Sequence, residues 1–137
     1  MKAAKSSRLR TVLAASAVAE AATGLLLLIA PGVVVALLLG VDAVAAVVAL
    51  GRVAGIALLA LGLACWPGTD AAGERRAALR AMLAYNPLVA LYLVYLATAA
   101  HLGGPLLWPA VAAHGVVTLL LVAGRGDERP TPRRSPL

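Results

Sequence analysis

The chain has 137 residues, of which 62% are hydrophobic and only 13% charged, and its mean hydropathy is +0.93. A soluble domain is roughly half apolar and about a quarter charged, and one of this length could not bury so much apolar surface. An ordinary water-soluble globule is thereby excluded, and the formal charge of +6 does not point to nucleic acid, because the basic residues flank apolar runs and form no stripe interleaved with aromatics.

A spanning helix needs about 20 mainly apolar residues. After a basic start (1–8), the first such run extends from Leu9 to Ala30. Its opening, MKAAKSSRLRTVLAASAVAEA, has the basic start and the small residues (Ala15, Ala17) of a secretory leader. The apolar stretch continues through TGLLLLIA to a full crossing length, so a retained first span is expected. Pro31 and Gly32 stop that helix. The run Val33–Leu39 is too short to cross and predicts a short helix at the membrane interface.

The second span is expected over Val44–Trp66. The linker PGTDAAGERR follows, polar and rich in helix breakers. A third span covers Leu79–Ala100, with Pro87 inside it as an expected kink. HLGG makes a tight connection, and a fourth span covers Pro105–Ala123. The three-part organisation is thus a basic N-terminus (1–8), an all-α membrane-spanning four-helix bundle (9–124) and a Pro- and Arg-rich tail (125–137) expected to be disordered.

Orientation follows lysine and arginine placement. Lys2, Lys5, Arg8 and Arg10 stand before the first span or in its first turn. Arg75, Arg76 and Arg80 lie between the second and third or in the first turn of the third, and Arg125, Arg129, Arg133 and Arg134 follow the fourth. Eleven of the 12 basic residues therefore fall on one side. Both termini are therefore expected in the cytoplasm. Trp66 and Trp108 fall near opposite ends of the bundle, at headgroup level.

Arg52 is the exception, and the sequence leads to Glu20 as its partner. Counted from the outer helix ends at about 1.5 Å per residue, Arg52 lies roughly 12 Å deep and Glu20 roughly 15 Å deep. Glu20 is the one acidic residue inside an expected span. Its helix face also carries Ser16, Ala17, Thr23 and Gly24. Beside Arg52, Gly51, Gly55 and Gly62 form a small-residue face on which another helix can pack closely. His114 and Tyr92 reach a similar depth, and Asn86 lies below them, so an interior polar cluster of Glu20, Arg52, Tyr92, His114 and Asn86 is expected. Asn86 or Tyr85 is the candidate to satisfy what the Pro87 kink exposes.

The chemistry expected of this cluster is limited. His101 and His114 differ in depth, which argues against paired axial haem ligation. No Cys/His spacing suggests zinc, and the single cysteine, Cys65, reads as a small apolar residue. Glu20 and His114 could exchange protons, but no nucleophile stands beside either. An enzyme is not supported, and no metal or cofactor is expected, quinone and haem being the alternatives weighed.

The stretches GRVAGIALLALGLACWPG, MLAYNPLVALYLVYL and LLWPAVAAHGVVTLLL resemble a group of small bacterial inner-membrane proteins with four spans and no assigned activity. The resemblance covers about Ala19 to Ala123. It rests on Arg52 with its flanking glycines, Tyr85–Asn86, Trp108–Pro109 and His114. More distantly, the layout is similar to DoxX-like four-helix membrane proteins, some of which are quinone-linked redox subunits. The combined expectation is a non-enzymatic structural or accessory membrane protein, held together by a buried Glu20–Arg52 pair. Its partners would be the lipid bilayer, a second copy or a larger membrane complex, and no nucleic acid. The alternative is a small-molecule, proton or quinone site in the same cluster, as in a transporter or redox subunit.

Overall fold

The computed structural model describes residues 2–67 and 72–125. The tail from 126 on and residues 68–71 of the linker lie outside the described residues. The fold is all-α: α1 (Lys2–Ile29), α2 (Pro31–Leu39), α3 (Ala45–Ala64), α4 (Ala72–Thr98) and α5 (Leu107–Arg125). Among the described residues, four helices are long and apolar enough to cross a membrane, over Ser7–Ile29, Ala45–Ala64, Gly73–Thr98 and Leu107–Arg125.

Local chemistry explains most boundaries. Pro31 pushes Ala30 out of helical geometry (φ −137°, ψ 59°) and then serves as the first residue of α2. Gly40 ends α2 in the left-handed region (φ 72°), its N–H donating to the Ala36 carbonyl. Pro67 follows the end of α3. Two starts differ from expectation. Helix α1 begins at Lys2 rather than near Leu9, and α4 at Ala72 rather than Leu79. In α4 the early turns are AGERRAAL, polar but, apart from Gly73, made of good helix formers. Polarity there marks the way out of lipid and not the end of the helix.

The main packing surface joins α1 to α3, and glycine makes it possible. A Cβ on Gly24 would lie 2.7 Å from the Gly55 carbonyl oxygen, and one on Gly62 would lie 2.7 Å from the Ala17 carbonyl oxygen. A Cβ on Gly51 would lie 2.9 Å from the Pro31 Cβ. The backbones therefore touch, as small-residue faces allow. The Gly51, Gly55 and Gly62 face is therefore used within the chain, against α1 and Pro31.

These pairings fix an antiparallel register in which Gly62 faces Ala17 and Ala21, Gly55 faces Gly24 and Leu28, and Gly51 faces Pro31. Helix α3 consequently starts well beyond the outward end of α1, and α2 occupies the step between them.

Helices α4 and α5 form the second antiparallel hairpin. It meets the first chiefly through α1, with Leu9 lying against Gly124 of α5. The buried stripe of α1 runs through Leu9, Leu13, Ser16, Ala17 and Glu20, the three- and four-residue spacing of one helix face. At one end of the bundle Leu9, Leu13, Cys65, Leu79, Met82 and Leu121 close into an apolar core. Cys65 is buried there as a small apolar side chain.

The other end is closed by backbone. In the loop between α4 and α5, His101 takes a left-handed conformation (φ 54°). The N–H groups of Gly103, Gly104 and Leu106 then donate to the carbonyls of Leu39, Leu38 and Leu37, at 3.0, 3.0 and 2.9 Å. Those carbonyls end α2 and lack helical donors. In an apolar setting such groups must find partners inside the protein.

Candidate functional site

Among the described residues, the buried polar side chains are those of Ser16, Glu20 and Asn86, exposed 4%, 5% and 1%. They sit where α1, α4 and α5 converge. With Leu9 beside Gly124, the antiparallel register carries Glu20 up to the level of His114.

Glu20 accepts a hydrogen bond from the Tyr85 hydroxyl. The Tyr85 ring meets the His114 imidazole edge to face, with centroids 5.8 Å apart and planes at 74°. His114 Nδ1 lies 2.8 Å from Asn86 Oδ1. The Asn86 amide nitrogen donates to the Met82 carbonyl at 3.0 Å, which leaves its oxygen as the acceptor. The proton of that contact therefore belongs to His114 Nδ1. Thr118 in turn donates to the His114 carbonyl at 2.8 Å. The chain Glu20–Tyr85–His114–Asn86 thus links three helices, with Glu20 from α1, Tyr85 and Asn86 from α4, and His114 from α5.

This arrangement corrects the expected cluster in two places. Arg52 is exposed, and among the described residues neither a hydrogen bond nor an ion pair reaches it. It is not the partner of Glu20. The reason is the stagger between α1 and α3. Gly51 faces Pro31, so Arg52 stands level with the outward end of α1. Glu20 faces the Leu61 region, about nine residues or roughly 13 Å further along α3. Depths counted from each helix end hid this offset, because the two ends are not level.

Tyr92 is the second correction. It is 60% exposed and stacks on Tyr95, with centroids 6.0 Å apart. Tyr92 lies two turns beyond Tyr85 on nearly the same flank of α4, past the stretch around Leu79, Met82 and Tyr85 that packs toward α1. The outer part of that flank is uncovered.

Sequence reasoning found Glu20, Asn86 and His114 and undervalued Tyr85, which it connected only to the proline kink. The usable signal was azimuth: Tyr85 adjoins Asn86 on the edge of the buried Leu79–Met82–Asn86 stripe. Nor does Asn86 serve the carbonyl that Pro87 leaves without a donor, which is that of Leu83; its amide nitrogen binds the Met82 carbonyl instead.

The cluster has two open valences. The Ser16 hydroxyl is buried with no hydrogen-bond partner among the described residues. In the neutral His114 ring with Nδ1 protonated, Nε2 remains as an acceptor. Among the described residues no group of three His, Cys, Asp or Glu side chains could hold a metal ion. The chemistry on offer is hydrogen bonding and proton exchange.

No family model, curated protein or solved structure matches the chain.

Proposed function

We propose that this is a small structural or accessory protein of the bacterial cytoplasmic membrane, with both termini in the cytoplasm, in which the polar cluster interlocks two helical hairpins. The bias of Lys and Arg toward one end supports that orientation. The observation that carries the reading is Glu20 bonded to Tyr85 across the gap between the hairpins. It is a polar contact where lipid-like surroundings leave few other partners.

The test is a double-mutant cycle by thermal unfolding in mild detergent. Tyr85→Phe strands the Glu20 carboxyl, and Glu20→Leu strands the Tyr85 hydroxyl. Each single change is expected to cost about 1–2 kcal/mol. The pair together should cost less than the sum, because neither polar group is then left alone. Strictly additive losses would remove the interlock from the account.

A second reading has one observation in its favour, the buried Ser16 hydroxyl, which has no hydrogen-bond partner among the described residues. A small hydrogen-bonding molecule held in the cluster would use it. Native mass spectrometry of detergent-purified protein separates the readings. The site reading expects a small-molecule adduct that His114→Ala abolishes while the melting temperature holds. The structural reading expects no adduct and a lowered melting temperature for the same variant.

A further inference from the structure

The basic residues of the described chain gather at one end of the bundle, with the exception of Arg52. Arg52 projects from α3 toward the opposite end, about seven residues or roughly 10 Å from the outward start of that helix. Its exposed apolar neighbours on that flank are Val53 and Ile56, exposed 62% and 60%. The flank adjoins the glycine face that packs on α1 and is itself uncovered. In a membrane it meets acyl chains.

A guanidinium is a permanent cation, and holding it among acyl chains with no counter-charge is costly. Its flexible stem allows it to snorkel along α3 toward the headgroups. At that level the available anion is a phosphate ester, whose geometry suits the guanidinium fork. The exposed acidic side chain nearest that end in sequence, Asp42, precedes α3 and lies a further turn beyond its start.

We propose that Arg52 binds the phosphate of an anionic glycerophospholipid in the outward leaflet, making the outer half of α3 a lipid-headgroup site. The proposal rests on the membrane reading above and adds a ligand to it. Gly51 keeps the backbone beside Arg52 pressed on Pro31, so the side chain leaves the bundle from a fixed point. Since no described residue pairs with Arg52, replacing it should not disturb the fold.

The test is native mass spectrometry of the full-length chain in detergent, titrated with phosphatidylglycerol, for the wild type and for Arg52→Gln and Arg52→Lys. Arg52→Gln is expected to reduce the fraction carrying the first phosphatidylglycerol by about fivefold. Arg52→Lys should retain part of it, and all three proteins should melt at the same temperature. Equal adduct distributions in wild type and Arg52→Gln would overturn the proposal. So would a dimer that Arg52→Gln dissolves, which would assign the cation to a carboxylate of a second copy. A markedly lowered melting temperature in Arg52→Gln would overturn it as well, by revealing an internal partner. Failure of the membrane reading itself would be distinct, because the wild type would then be extracted from cells without detergent.

Discussion

Gly24→Leu is expected to be the most damaging single substitution in this chain, lowering stability by about 3 kcal/mol or more. The hydrogen of Gly24 stands where a Cβ would lie 2.7 Å from both the Gly55 carbonyl oxygen and the Leu59 nitrogen. Both obstacles are backbone of an opposing helix, so no side-chain rotation can make room. The helices must separate, and the same movement would strip contacts from Gly55 and Gly62 further along the seam. Thermal unfolding in detergent, followed through Trp66 and Trp108 fluorescence, measures the loss. Gly115→Ala is the control. A Cβ there meets nothing within 4 Å, so its effect should be neutral or slightly stabilising, since alanine is the better helix former. If both variants melted alike, the close α1–α3 seam would not be what holds the first hairpin.

The second large effect is expected at Gly104. A Cβ there runs into the carbonyl group of Leu37 and the Ala36 oxygen. Gly104→Val should therefore expel the loop from the end of α2 and break the hydrogen bonds to Leu37, Leu38 and Leu39 together. Three carbonyls would be left unsatisfied in apolar surroundings. The expected cost is about 2–3 kcal/mol, with hydrogen exchange at Gly103 and Leu106 accelerating before the rest of the bundle opens. Gly103 offers the contrast, for a Cβ on it meets nothing within 4 Å. Gly103→Ala should leave both readouts near the wild type. Unchanged exchange in Gly104→Val would mean that the loop is anchored elsewhere.

Much of the architecture was legible from composition and spacing. The four apolar runs, the short helix after Pro31, the glycine face of α3 and the depth shared by Glu20 and His114 could all be read from the residues. What could not be read was the relative height of two helices. Hydrophobic length fixes how long a helix is and says nothing about where its neighbour starts. Helix α2 fills the gap between the unequal ends of α1 and α3, and that step carried Arg52 away from Glu20. Azimuth was the other missing coordinate. Tyr85 and Tyr92 look equivalent on a helical wheel, yet α1 crosses α4 at one and not at the other. The polar first turns of α4 concealed its start, because helix propensity and lipid preference part company in AGERRAAL.

Helix α1 packs against every other helix, and it is also the first to be synthesised. It must therefore enter the bilayer before Tyr85 and His114 exist, carrying Glu20 without the hydroxyl that later receives it. Only the early contact with α3, through small residues, is available to shelter it in the interval. Assembly should thus proceed in two stages, a glycine-zippered hairpin first and its capture by the second hairpin afterwards. Substitutions at Gly24 and at Tyr85 would then fail at different moments of biogenesis, the former exposing the nascent chain to membrane proteases before α4 has emerged.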